Sequence, residues 1–392
     1  MASTCPCAGV RSDVPSRWRR GPRPQVAWLL AWLLAGSAGG ALAAGGAGAP
    51  DDGRCLLGQG LVGPAAQRLA AAHAAAPAGP DRARAAAALG QAYLRLNRPE
   101  LAEPLLEEAQ AGLDGPRERA AALLDLGNLH LARRHEGPAE DAWARALLAA
   151  PGDAELALAV ELNRIRLSPP VQRVPRLQAA AQALQQLPAG ATRARHALNI
   201  ASQAAAEGSR GAALALRSYE AGRDEALAAK DEALAAEAYD GLSALYERQQ
   251  RPADALRLAE RGLLHAARRT ERELMVPLEW RAGRLLRELG QDDAALAAYR
   301  RAVQHVEAVR ADLPVQYVDG RSSFRDTLEP VYLGLTDLLL RQAARSAGEA
   351  RSALLRQARD TVELIKQTEL EDYLRDRCSL GGARRATAYV PP

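Results

Sequence analysis

The sequence predicts an all-α protein, a solenoid of about seven helix hairpins stacked side by side. Three observations predict it. Apolar residues recur at helical spacing, as with Leu123, Leu126, Gly127 and His130 on one face and Ala139, Trp143 and Ala146 on the next helix. The same arrangement of small and bulky residues then returns, Gly90 and Gly127 lying 37 residues apart and Ser243 and Gly283 lying 40 apart. Finally, 48% of the 392 residues are hydrophobic but only one is Phe, so alanine and leucine must form the core, which suits closely packed helices and not a sheet.

Taken in order, the chain opens with Arg11, Arg17, Arg19, Arg20 and Arg23, then the apolar run Val26–Leu34, then Ala41-Leu42-Ala43. A basic flank, a short apolar core and a small-residue site make a secretory signal peptide over 1–43, with cleavage expected after Ala43 or Ala44. The run is shorter than the roughly 20 residues that span a bilayer. Gly21-Pro22 after Arg19-Arg20 argues against a twin-arginine signal, and Gly53-Arg54 before Cys55 against a lipid anchor. Val14 is a second possible start, after Cys5 and Cys7. The expected address is the periplasm or the exterior. The formal charge of +4 is concentrated in this leader, so the remainder offers no net basic excess for nucleic acid.

Residues 44–60, rich in Gly, Ala, Pro and Asp, read as a flexible linker, and Pro64 to Ala76 as a capping helix closed by Pro77 and Pro80. The solenoid proper is expected over 61–313. Its hairpins run Asp81–Leu113, Pro116–Ala150, Asp153–Leu187, Ala191–Lys230, Asp231–Arg268 and Glu271–Ala311. Pro151 ends one helix because it lacks an amide hydrogen; Ser168-Pro169-Pro170, Gly208–Gly211, Gln250-Arg251-Pro252 and Gly290-Gln291-Asp292 supply turns. A last hairpin occupies 314–378, with Ser323 placed to cap a helix from Phe324 and a long partner helix from Gly348 carrying Leu354, Leu355, Ala358, Val362, Leu364, Ile365, Leu370, Tyr373 and Leu374. A disordered tail, 379–392, is expected to follow.

The stretch Ala120–Pro151 resembles the tetratricopeptide repeat, with Trp143 as the aromatic of the second helix and His130 in place of the usual Tyr. Leu89, Gly90, Tyr93, Ala102, Leu106 and Ala109 match it upstream; Tyr239, Leu242, Tyr246, Ala255 and Leu263, then Gly283, Gly290, Ala295, Tyr299 and Ala302, match it downstream. An alanine-rich helical bundle is the plainer alternative. The resemblance implies a right-handed α-solenoid that binds a protein or peptide on its first helices. It places the groove at Arg84, Gln91, Leu94 and Arg95, then Leu124, Asn128 and Leu131, then Trp280, Arg284 and Arg287. Gln91 and Asn128 hold equivalent positions suited to a peptide backbone, whereas Ala87 stands where a terminal-carboxylate clamp would have Lys.

The segments Gln316–Arg325, Leu328–Tyr332 and Ala358–Arg377 resemble the region ahead of the protease domain in CHAT-domain proteins, caspase-like peptidases with tetratricopeptide repeats in front. The resemblance implies a sensor or regulatory part of such a protein; the alternative is a fragment of the peptidase itself, its catalytic domain lost by an early end of the reading frame. A broad apolar stripe on the last helix implies an adjoining domain or partner chain.

Chemistry beyond binding finds little support. Cys378 has Arg375 and Arg377 nearby, which favour a thiolate, but no His within seventy residues. His130 and His135 are five apart, unlike the i, i+4 pair of a zinc site, and Cys55 and Cys378 show no metal spacing. Glu107-Glu108, Asp292-Asp293 and Glu371-Asp372 diverge around their helices as solvated pairs. No phosphate loop is present. The expectation is a binding protein, not an enzyme, without metal or cofactor.

Overall fold

The computed structural model describes residues 49–58, 62–269, 272–309, 317–318, 321–322 and 328–386. The signal-peptide reading, Cys5, Cys7 and the Ser323 cap before Phe324 lie outside these residues. Among the described residues there are sixteen α-helices, and they pair in order as eight antiparallel hairpins. The chain is an all-α solenoid of tetratricopeptide-like repeats.

The first four hairpins are α1 (Ala49–Gly58) with α2 (Val62–Ala75), α3 (Pro80–Arg95) with α4 (Pro99–Gly112), α5 (Pro116–Ala132) with α6 (Glu136–Ala149), and α7 (Ala154–Leu167) with α8 (Pro170–Ala183). The next three are α9 (Ala191–Ala206) with α10 (Ala212–Ala228), α11 (Glu232–Arg248) with α12 (Pro252–Arg269), and α13 (Arg272–Glu288) with α14 (Asp292–Val309). A two-residue antiparallel ribbon, Tyr317–Val318 against Arg321–Ser322, precedes α15 (Glu329–Ala344) and the long α16 (Gly348–Ala386).

Local chemistry sets the ends of these helices. Proline occupies the first turn of α3, α4, α5 and α8, where no amide donor is needed. Asp153 and Asp231 cap α7 and α11, each accepting from the backbone N–H three residues on, at 3.0 and 3.1 Å. The turns inside four of the hairpins share one geometry: Asn97, Arg134, Gln250 and Gly290 take positive φ, and the following N–H reaches back five residues to the carbonyls of Tyr93, His130, Tyr246 and Leu286. This closing bond satisfies carbonyls that the helix end leaves open. Because it uses only backbone, the bond forms at His130 as it does at Tyr93 and Tyr246.

In several hairpins the two helices meet at a glycine. A Cβ at Gly127 would lie 2.3 Å from Nε1 of Trp143, and one at Gly90 would lie 2.9 Å from the Leu106 side chain. Tyr299 is gripped twice, since a Cβ at Gly283 would fall 2.7 Å from its ring and one at Gly334, in the next hairpin, 2.2 Å. Ala102, Ala139 and Ala295 are fully buried beside these contacts.

Three sequence expectations change. The stretch expected as a linker carries α1, and the hairpins number eight, because Leu57 is buried against α2 and α3 in a cluster with Val62, Leu69 and Leu89. Pro64 to Ala76 is therefore the second helix of a repeat and not a lone cap. The expected disordered tail is helical as far as Ala386; once a helix is nucleated each further residue adds a hydrogen bond, which carries α16 through Gly381 and Gly382. Along α16, Ile365 and Ala358 are buried against α14 and α15 with Leu354 and Leu364 packed beside them, whereas Leu355 and Leu370 are exposed. No described helix is long and apolar enough to cross a membrane.

Candidate binding groove

The odd-numbered helices touch one another in series, α3 on α5, α5 on α7, α7 on α9, α9 on α11 and α11 on α13. Among the described residues the even-numbered helices make no comparable series, so the odd ones form the inner wall of the stack. Their shared face is polar, and its side chains bond from one hairpin to the next.

Gln91 of α3 donates from Nε2 to Oδ2 of Asp125 on α5 at 2.7 Å. Asn163 of α7 donates to Oδ1 of Asn128 on α5 at 2.6 Å. Gln203 of α9 donates to the Leu162 carbonyl of α7 at 3.1 Å and to Asn199 on its own helix at 2.8 Å. Arg248 of α11 reaches the Ala205 carbonyl of α9 at 2.8 Å. Between α11 and α13 the ladder becomes ionic: Arg281 clasps Asp240 at 2.9 and 3.2 Å and Glu247 at 2.6 Å, and Arg284 also bonds Glu247. Burial pushes the Glu247 carboxyl up, but Arg284 and Arg281 outweigh it and hold the group below the usual range.

The residues expected in the groove fall into two places. Gln91, Leu94, Asn128 and Leu131 line adjacent helices α3 and α5, half-buried. Arg84 beside them bonds Glu118 at 3.3 Å and Asp81 at 2.8 Å, and Arg95 donates to the Leu57 carbonyl at 2.6 Å. Leu124 belongs to the core, 4% exposed in the cluster around Trp143. Trp280, Arg284 and Arg287 lie on α13, separated from the first group by three hairpins. Arg284 stacks over the Trp280 ring at 4.3 Å, and Arg287 faces Asp337 of α15 at 3.5 Å.

Residues that the sequence did not single out complete the ladder: Asp125, Asn163, Asn199, Gln203, Asp240, Glu247 and Arg281. Asp125 carried the clearest signal, a carboxylate inside the apolar run Ala120–Leu131. It is 4% exposed, and burial pushes its carboxyl up to about 7 against the opposing Gln91 hydrogen bond. Glu237, half-buried on α11, is likewise raised to about 8 by burial, with Arg195 opposing.

The Asp125 shift has a definite sign. A carboxyl whose folded pKa exceeds its unfolded value binds its proton more tightly when folded, so its contribution to stability is complete below about pH 4 and is lost as pH rises to about 7. Asp125→Asn keeps an oxygen for Gln91 and removes the titration. The variant should be more stable than wild type at pH 8 by roughly 2–4 kcal/mol, with the difference vanishing near pH 4. Urea denaturation at the two pH values measures this; equal stabilities at pH 8 would show that Asp125 is not a buried neutral acid.

The other reactive groups do not converge. Burial lowers the His130 pKa, with Glu103 opposing at 3.9 Å, and the His130 and His135 rings lie 6.4 Å apart. Cys55 is exposed on α1. Among the described residues no group of three or more His, Cys, Asp or Glu is arranged to hold a metal ion.

No protein-family model matches the chain, and no curated protein matches it in sequence. Among solved structures, it is similar to a Rap protein complexed with competence and sporulation factor, with a TM-score of 0.45 and 12% identity over 82% of this chain and 98% of that one. A tetratricopeptide repeat protein from Parabacteroides merdae gives a TM-score of 0.41 at 17% identity, over 68% of this chain and 96% of that one. Aspartyl phosphate phosphatase F from Bacillus subtilis gives 0.44 at 11% identity, over 83% and 97%.

Proposed function

We propose that this chain is an exported scaffold that holds a protein or peptide partner in the groove of its odd-numbered helices, and that it is not itself an enzyme. One observation carries the reading: the row of amides at Gln91, Asn128 and Asn199 is only half used. Asn128 and Asn199 each accept a hydrogen bond with Oδ1, and their Nδ2 groups have no partner among the described residues. Gln91 donates from Nε2, and its Oε1 has none. An open acceptor on α3 and open donors on α5 and α9 suit the N–H and C=O groups of an extended chain, which gain most from partners that are already fixed in place.

Replacing Gln91, Asn128 and Asn199 together by alanine should weaken capture of a selected peptide at least tenfold while the helical circular dichroism is retained. Equal capture by the wild type and the triple variant would move the site elsewhere. The export half of the reading rests on the leader sequence, and the N-terminus of the mature protein should be Ala44 or Gly45. Recovery of a secreted chain that still carries Trp28 would contradict it.

The block Glu271–Cys378 supports the narrower reading that this scaffold is the sensor or regulatory part of a CHAT-type protein, with a domain or partner against the last hairpin. It also keeps open the alternative, a fragment of a cysteine peptidase of that type. Sequencing the DNA beyond the codon for Cys378 in all frames separates the two: a frame with spaced His and Cys would favour the peptidase.

A further inference from the structure

Asp125 is an unexpected residue for the floor of this groove, because an ionised carboxylate is costly to bury without a countercharge. The other carboxylates of the ladder have cations at hand. Glu247 lies between Arg281 and Arg284, and Asp240 against Arg281. Asp125 has none. Its Oδ2 accepts the Gln91 amide at 2.7 Å, and its Oδ1 meets no hydrogen-bond donor among the described residues.

Several charged groups on the helices packed around it are engaged elsewhere. Arg84 of α3 bonds Asp81 and Glu118, Glu103 of α4 pairs with Arg133, and Glu140 of α6 pairs with Arg164 of α7. His130, on the same helix as Asp125, lies beside Glu103. The site therefore holds two unused acceptors, Asp125 Oδ1 and Gln91 Oε1, and between the carboxylate and its neighbours no charge is balanced.

We propose that this place receives a positively charged side chain, a lysine ammonium or an arginine guanidinium, from the peptide that the groove binds; the inference rests on the peptide-binding reading above. The cation supplies the countercharge that the fold withholds, and Gln91 Oε1 offers it a second acceptor. Asn128, one turn further along α5, is placed to hold the adjoining backbone with its open Nδ2. When the cation arrives Asp125 gives up its proton to the solvent, so binding releases a proton near neutral pH and strengthens as the pH rises.

The test is selection from a randomised octapeptide library on the immobilised full chain at pH 7.5, with wild type and Asp125→Asn in parallel. The wild type should enrich peptides containing Lys or Arg, and Asp125→Asn, once its helical content and melting are verified, should lose that bias while still enriching peptides. Calorimetry of one selected peptide on the wild type should show proton release and about tenfold tighter binding at pH 8 than at pH 6. Enrichment without a basic bias, the same bias in Asp125→Asn, or binding that weakens with rising pH would each overturn the proposal. If neither protein enriches any peptide, the peptide-binding reading itself fails, and the cation site with it.

Discussion

Trp143→Ala should destabilise the protein by about 3–5 kcal/mol, the cost of emptying a fully buried aromatic site that its surroundings cannot refill. Trp143 lies among Ala120, Leu123, Leu124, Ala139, Ala146, Leu156 and Val160, all on α5, α6 and α7, so the loss should fall on these hairpins first. A second substitution makes the assignment specific. Gly127→Ala alone should also be destabilising, because its Cβ would sit 2.3 Å from the indole nitrogen and the ring must move. In the Trp143→Ala background the clash is gone, and alanine is preferred over glycine inside a helix by about 1 kcal/mol. There Gly127→Ala should be stabilising. Denaturant melts of the four proteins measure the reversal of sign; a Gly127→Ala cost that is the same in both backgrounds would refute the contact.

Arg281→Ala should cost about 3 kcal/mol at pH 7, the second large effect. The guanidinium is only 14% exposed and holds α13 to α11 through both oxygens of Asp240 and one of Glu247. Its removal leaves Asp240 half-buried without a cation, whereas Glu247 retains Arg284. Asp240→Asn should therefore rescue part of the loss. A double-mutant cycle on Arg281 and Asp240 should give a coupling of about 1–3 kcal/mol. Additivity within about 0.5 kcal/mol would show that the pair does not bind the two hairpins together.

The sequence revealed most where a repeat has one bulky residue facing one glycine. Gly90 with Leu106, Gly127 with Trp143 and Gly283 with Tyr299 are legible as helix pairs, and the structure brings each pair into contact. The first hairpin obeys the same rule behind a weaker sequence signal. Gly53 with Leu69 repeats Gly90 with Leu106 at a spacing of 37, and Ala65 and Ala72 repeat Ala102 and Ala109. The composition around Gly53 hid it, since Leu56 and Leu57 are the only large apolar residues of α1 and give no helical period by themselves. Their burial comes from α2 and α3, which local sequence does not display.

The groove was legible in part for a similar reason. Gln91 and Asn128 stand out by their equivalent positions, but their partners depend on how far each hairpin is rotated on the last. Asp125 and Asn163 enter the ladder through that rotation, and so does the junction of Arg281 with Asp240. Arg284, expected to face a ligand, instead spends its Nε and Nη2 on Glu247.

The central claim is that a partner lies along the inner wall formed by the odd-numbered helices. Photo-crosslinking of a selected octapeptide carrying benzoylphenylalanine, followed by mass spectrometry of the digested adducts, tests it most directly. Adducts confined to α3, α5, α7 and α9, and abolished by the Gln91, Asn128 and Asn199 triple substitution, are the predicted result. Adducts on the outer helices α4, α6, α8 and α10, unaffected by that substitution, would contradict it.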